Sequence, residues 1–250
     1  MKLVPTIRYN VQDIITKTIP IYYGVFALIF LTLFSMSKLT SLYMAGSFSG
    51  ASFNSTVLIV VIGLVYTRSS FRYLTQMGVS KRTQITGKVI SILLISAVAV
   101  VMDRLLELFA EFLFKSTEMT YEGSGIAFSL FDAYLSKLGP VAREMTLIGL
   151  GYTSRVILLS ATVFIAMLYV RMNTAAKVIV SVGVPVLAFV GMPALAMFIP
   201  EQMAKLIHTI AEITGLSNGL PIRSILWMTG GTVIFMMFYY LITRRAPIKD

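Results

Sequence analysis

The stretch Ile19-Pro-Ile-Tyr-Tyr-Gly-Val-Phe-Ala-Leu-Ile-Phe-Leu-Thr-Leu-Phe-Ser-Met-Ser37 runs for 19 residues without a charge. Wound as a helix at about 1.5 Å per residue, it is about 28 Å long, close to the ~30 Å hydrocarbon core of a bilayer. Five further apolar runs follow: Ser52–Thr67, Val89–Phe114, Leu147–Val170, Thr174–Ile199 and Ile225–Thr243. They leave no stretch long enough for a separate globular core. The expected fold is therefore all-α, a single transmembrane domain over residues 1–250 with six spans. Composition agrees: 57% of residues are hydrophobic and 13% charged, with a mean hydropathy of +0.84. A soluble domain holds about 45–50% apolar and about 25% charged residues. The first run is too long for a signal-peptide core and no small-residue cleavage site follows it, so a removable leader is not expected. With no cysteine, disulfides, thiolate metal sites and cysteine nucleophiles are excluded together.

The loops set the orientation. Lys2, Arg8 and Lys17 precede the first run, and Arg68, Arg72, Lys81, Arg82 and Lys88 lie between the second and third. Arg171 and Lys177 flank the turn between the fourth and fifth, and Arg244, Arg245 and Lys249 follow the sixth. These are 13 of the 21 Lys and Arg, against Asp13 and Asp250 alone on that side. Such a bias faces the cytoplasm, so both termini are expected there, in a multi-pass protein of an inner membrane. It also accounts for the net charge of +10 without nucleic acid, which is not an expected partner.

Three shorter segments read as amphipathic helices. Val11, Ile14, Ile15 and Ile19 recur at helical spacing opposite Gln12, Asp13 and Lys17, as in a helix lying on the inner membrane surface against lipid. On the outer face, Ala127, Leu130, Phe131, Tyr134, Leu135 and Leu138 form a similar stripe. After Pro200, Met203, Leu206, Ile207 and Ile210 oppose Glu201, Lys205, His208 and Glu212, with Gly215 placed for a left-handed cap. Within the fifth run, Gly183, Pro185, Gly191 and Pro193 are a candidate hinge, because each proline removes a helix hydrogen bond.

The loop Arg68-Ser-Ser-Phe71-Arg72-Tyr-Leu74-Thr-Gln-Met77-Gly78-Val-Ser80-Lys81-Arg82 carries the most information. Phe71, Leu74 and Met77 share one face of a short helix. Gly78 suits a left-handed helix end and Ser80 caps the next helix. One reading is a basic loop on lipid headgroups; the other is a coupling helix that docks into a cytoplasmic partner.

The segment Phe71–Arg82, between the second and third of six spans, resembles the first cytoplasmic loop of bacterial ABC-2-type exporter permeases. The likeness extends along the chain: about 250 residues, an amphipathic start, six spans, and a partly helical outer segment at Pro200–Pro221. Within the family the likeness points to permeases of amphipathic peptide-toxin exporters, such as those for phenol-soluble modulins. The resemblance implies a transmembrane permease subunit that exports amphipathic peptides, with lipids or hydrophobic drugs as alternative cargo. It implies a second permease copy, identical or related, and a separate cytoplasmic ABC ATPase that holds ATP and Mg, with no cofactor in this chain. The sequence agrees that the chain is not itself the motor. A phosphate loop reads G-x-x-x-x-G-K-[ST], and the nearest match, Gly87-Lys88, has Arg82 for the first glycine and Val89 for the hydroxyl. A non-transporting immunity or sensor subunit shares the same composition. A secondary transporter is a third reading, without a detectable inverted repeat.

Charges also occur at membrane depth. Asp103, Glu107 and Glu111 form an acidic stripe at four-residue spacing, beside Arg104. Asp103 stands about 21 Å along its helix from Val89, and Arg155 about 22 Å from Val170. An Asp103–Arg155 or Glu107–Arg155 pair is therefore expected, lining the outer half of a cavity, unless the third helix leaves the bilayer near Asp103. The enzymatic alternative is an intramembrane hydrolase. Gly215-Leu-Ser217-Asn-Gly219 matches G-x-S-x-G, but that elbow needs a strand-to-helix turn and no strand is expected nearby. His208 falls on a polar helix face, and no H-E-x-x-H is present. No catalytic residue and no metal site is assigned.

Overall fold

The computed structural model describes residues 3–40, 51–114, 131–216 and 219–244. Among them every regular element is helical. The order is α1 Leu3–Asp13, a π-turn at Ile14–Thr18, α2 Ile19–Thr40, α3 Ala51–Gln76, α4 Lys81–Phe114 and α5 Pro140–Arg171. α6 Thr174–Val186, a second π-turn at Leu187–Gly191, α7 Met192–Phe198, α8 Pro200–Thr214 and α9 Pro221–Arg244 complete it. Residues 3–36, α3, α4, α5 and α9 supply five helices long and apolar enough to cross a membrane, consistent with a multi-pass membrane protein.

Several helices outrun their apolar stretches. α4 has 34 residues and α5 has 32, about 51 and 48 Å at the helical rise, so each exceeds a ~30 Å hydrocarbon core. α3 does not stop at Thr67 to leave a separate short helix at Phe71–Met77, as expected. It is continuous to Gln76, because no Gly or Pro intervenes and the local hydroxyls fold back onto helix carbonyls. Thr67 Oγ1 donates to Gly63 O (2.6 Å), Ser70 Oγ to Thr67 O (3.2 Å) and Thr75 Oγ1 to Phe71 O (2.8 Å). The fifth apolar run is likewise not one helix. Pro185 lies inside α6, and the π-turn follows within two residues; a missing amide and the proline ring favour such a local register change. α6 alone is too short to count as a span.

The expected N-terminal amphipathic helix is α1; it continues through the π-turn into α2 and packs on α4. The cause is a close fit. A Cβ at Gly87 of α4 would meet Thr6 Cγ2 at 2.8 Å, so only glycine lets the two helices approach this far. Gly63 plays the same part between α3 and α5, the small-residue packing common in membrane bundles.

The core lies among α2, α3, α4, α5 and α9, with Phe30, Ile59, Ala99, Val163, Met167 and Tyr239 nearly or fully buried. A second cluster joins Phe131 and Leu135 to Leu150, with Leu138 and Ile225 against it. This seats part of the expected outer stripe; Tyr134 is exposed, while Ala127 and Leu130 lie outside the described residues. α8 buries no residue and ends as expected on Gly215, at φ +79°.

Candidate functional site

Two constellations bear on function, one at the charged end of the bundle and one within it.

Helix contacts gather one end. Tyr9 of α1 stacks on Tyr73 near the end of α3, with ring centroids 4.3 Å apart. Lys81, which opens α4, donates from Nζ to the carbonyl of Arg244 at the end of α9 (3.3 Å). α5 runs against α4 with Arg155 beside Asp103 and Glu144 beside Arg104, which sends its last residue, Arg171, toward the same end. Arg8, Arg68, Arg72, Arg82, Arg171 and Arg244 are all exposed there. Among the described residues Asp13 is the acid of this region, and it is tied to Lys17 at 3.1 Å.

The elbow between α3 and α4 is held by hydrogen bonds from both helices. Gly78 takes φ +67°; its N–H donates to Thr75 O and that of Val79 to Leu74 O, both at 3.0 Å. These paired bonds complete a left-handed helix end. Ser80 Oγ then accepts the amide of Thr83 (3.3 Å), capping α4. Gln84 Nε2 donates back to Val79 O at 2.8 Å, clamping the turn from the far side. Replacing Gly78 with alanine puts a Cβ in the left-handed region, so a loss of about 1–2 kcal/mol in thermal stability is expected.

The face expected to dock is divided by the fold. Leu74 is buried and Phe71 packs partly against the core. Arg72, Tyr73, Met77, Gly78, Ser80 and Arg82 remain exposed, Arg68 among them, and Lys81 is half-buried. Phe71 and Leu74 therefore hold the elbow, while the others form its outer surface.

Within the bundle, Asp103 and Arg155 form an ion pair, each only 6% exposed. Arg155 Nη1 donates to Gly151 O (2.8 Å), and Nη2 donates to Ser55 Oγ (2.9 Å) as well as to Asp103 Oδ2. Asp103 Oδ1 accepts the Tyr23 hydroxyl at 2.5 Å, which also lies 3.1 Å from Ala99 O. The cluster thus joins α2, α3, α4 and α5, with the charge of each partner offset and hydrogen-bonded. The buried pair ties these helices together through side-chain hydrogen bonds. Tyr23 and Ser55 were not legible as members. A tyrosine hydroxyl inside an apolar run needs a partner, and that was the available signal.

The rest of the acidic stripe is separate. Arg104 bridges Glu107 at 2.9 Å and Glu144 at 2.7 Å, partly exposed, and Glu111 is exposed. Gly183 and Pro185 lie in α6, Gly191 closes the π-turn and Pro193 sits at the start of α7. His208 stands on exposed α8, its Nδ1 3.8 Å from Glu212. Ser217 lies outside the described residues. Searched against family models, curated proteins and solved structures, the chain has no match.

Proposed function

We propose that this chain is the transmembrane permease subunit of an ATP-driven ABC exporter in a bacterial inner membrane, with its basic end cytoplasmic. The observation that carries the reading is the elbow at Met77–Ser80. It is hydrogen-bonded to both helices, flanked by the cations Arg72, Lys81 and Arg82, and largely exposed, and it joins two helices long enough to carry a displacement across the bilayer. A separate ATPase subunit, holding ATP and Mg, would dock on Arg72, Tyr73, Met77 and Arg82 and push on this elbow.

Six crossings fit the contacts better than five. α1 begins and α9 ends at the basic end, whereas Leu216 packs with Leu147 and Leu150 near the other. The segment Thr174–Phe198, about 37 Å if fully helical, would make the remaining crossing, with Gly183–Pro193 as its hinge. α6 buries none of its residues, which suits a second permease copy, identical or related, across a shared pathway. Amphipathic peptides are the first choice of cargo, and lipids or hydrophobic drugs the second.

The test is a charge reversal outside the core. Arg72→Glu with Arg82→Glu, and separately Met77→Asp, should lower co-purification of the ATPase at least ten-fold without changing the melting temperature. Unchanged capture would remove the docking role of the elbow. Capture without peptide-stimulated ATP hydrolysis would favour a non-transporting sensor subunit instead.

A further inference from the structure

The seam between α1 and α4 holds buried polar side chains beside its apolar ones. α1 turns Thr6 and Asn10 inward, both polar, and Ile14 of the π-turn continues the four-residue spacing. Both polar atoms of the Asn10 side chain, Nδ2 and Oδ1, are buried without a hydrogen-bond partner. On α4, Gln84 and Lys88 are buried one turn apart, and Gln84 Oε1 also lacks a partner. Lys88 reaches one acceptor, Ser70 Oγ at 3.4 Å. A cavity of about 10 Å³ lies beside it, bounded by Ile14, Tyr66, Ser91 and Leu159, which is room for about one water.

A buried polar atom without a partner costs free energy that hydration returns, and a buried ammonium costs more. Closure of this seam is therefore opposed by its own contents. What holds it is apolar packing by Val11, Ile14 and Ile15, the Thr6–Gly87 contact and the Tyr9–Tyr73 stack. The π-turn Ile14–Thr18 interrupts the helix where α1 joins α2, and such turns often sit at functional irregularities. Its last residue is anchored: Thr18 Oγ1 and the Tyr66 hydroxyl are 2.8 Å apart.

We propose that α1 is a hinged strap that pivots as an intact helix at Ile14–Thr18, and that lifting it admits water to Asn10, Gln84 and Lys88. The Tyr9–Tyr73 stack rests the strap against the elbow, so a load on the elbow is also a load on the strap. The inference concerns the chain alone and stands whether or not an ATPase docks there.

The chain has no cysteine, so a single introduced one reports by itself. In nanodiscs, Asn10→Cys should react with a water-soluble maleimide at least ten-fold faster than Ile92→Cys, a core position of α4. Cysteine at position 10 removes two unsatisfied atoms, so folding is favoured. Adding Gly87→Ala, whose Cβ would press on Thr6, should raise the Asn10→Cys rate further, by several-fold. In the unsubstituted protein, backbone amides of residues 7–13 should remain protected from hydrogen exchange, because a pivoting helix keeps its bonds. Equal labelling at positions 10 and 92 would overturn the strap, as would labelling with unprotected amides, which is fraying.

Discussion

Arg155→Ala is expected to destabilise the folded protein by about 3–5 kcal/mol, the usual loss when one partner of a buried ion pair is removed. The substitution strands Asp103 inside the bundle without its counter-charge, held only by hydroxyl partners such as Tyr23 and Ser55. It also releases Ser55 and the Gly151 carbonyl, so α3 and α5 lose their polar link. Asp103→Ala should cost a similar amount, since it leaves a guanidinium buried without a counter-charge. The double substitution should cost much less than the sum, because both desolvated charges are gone together. Unfolding in mixed micelles, read for the wild type, both single variants and the double, checks this. Additive losses would mean that the two side chains do not act as a pair. Arg104→Ala is the contrast: its partners are partly exposed, and a surface pair is worth about 0–1 kcal/mol.

Gly63→Ala is the second large effect, and it acts by volume. The added Cβ would lie 1.9 Å from Thr162 Oγ1 and 2.7 Å from Thr162 Cβ. Rotating the threonine moves its hydroxyl but not its Cβ, so α3 and α5 must separate. Overpacking of this kind costs about 1–3 kcal/mol, occasionally more, and here it lies against the cluster that the pair pins. The compensating change follows from the same distances. Thr162→Ala in the Gly63→Ala background should restore little, because its Cβ remains; Thr162→Gly should restore more. Thermal unfolding of the three variants checks the order, and equal recovery by alanine and glycine would contradict the close approach.

The apolar runs that form the five long helices were legible because lipid-facing length is written directly in composition. Helix ends were less so. Hydropathy marks where a helix meets lipid, not where its hydrogen bonds stop, so α3, α4 and α5 extend beyond Thr67, before Val89 and before Leu147. The elbow was readable at Gly78 and Ser80, since local backbone chemistry alone dictates a left-handed end and a cap. Its outward face was not, because burial of Leu74 depends on helices distant in sequence. Matching depths along two helices foreshadowed the Asp103–Arg155 pair. Tyr23 and Ser55 joined it through rotations about helix axes that a linear pattern does not encode. For α1, the apolar stripe Val11–Ile19 drew the reading toward a membrane surface. The decisive contact, Thr6 against Gly87, is long-range and involves two small residues of no marked hydropathy.

The central claim is that the elbow transmits work from a nucleotide-hydrolysing neighbour, and a photo-cross-linking residue at Met77 in native membranes tests it most directly. The account predicts one dominant adduct with a subunit that carries a phosphate-binding loop, lost when Arg72 and Arg82 are reversed to glutamate. Adducts with lipid alone, or with no ATP-binding protein, would contradict it.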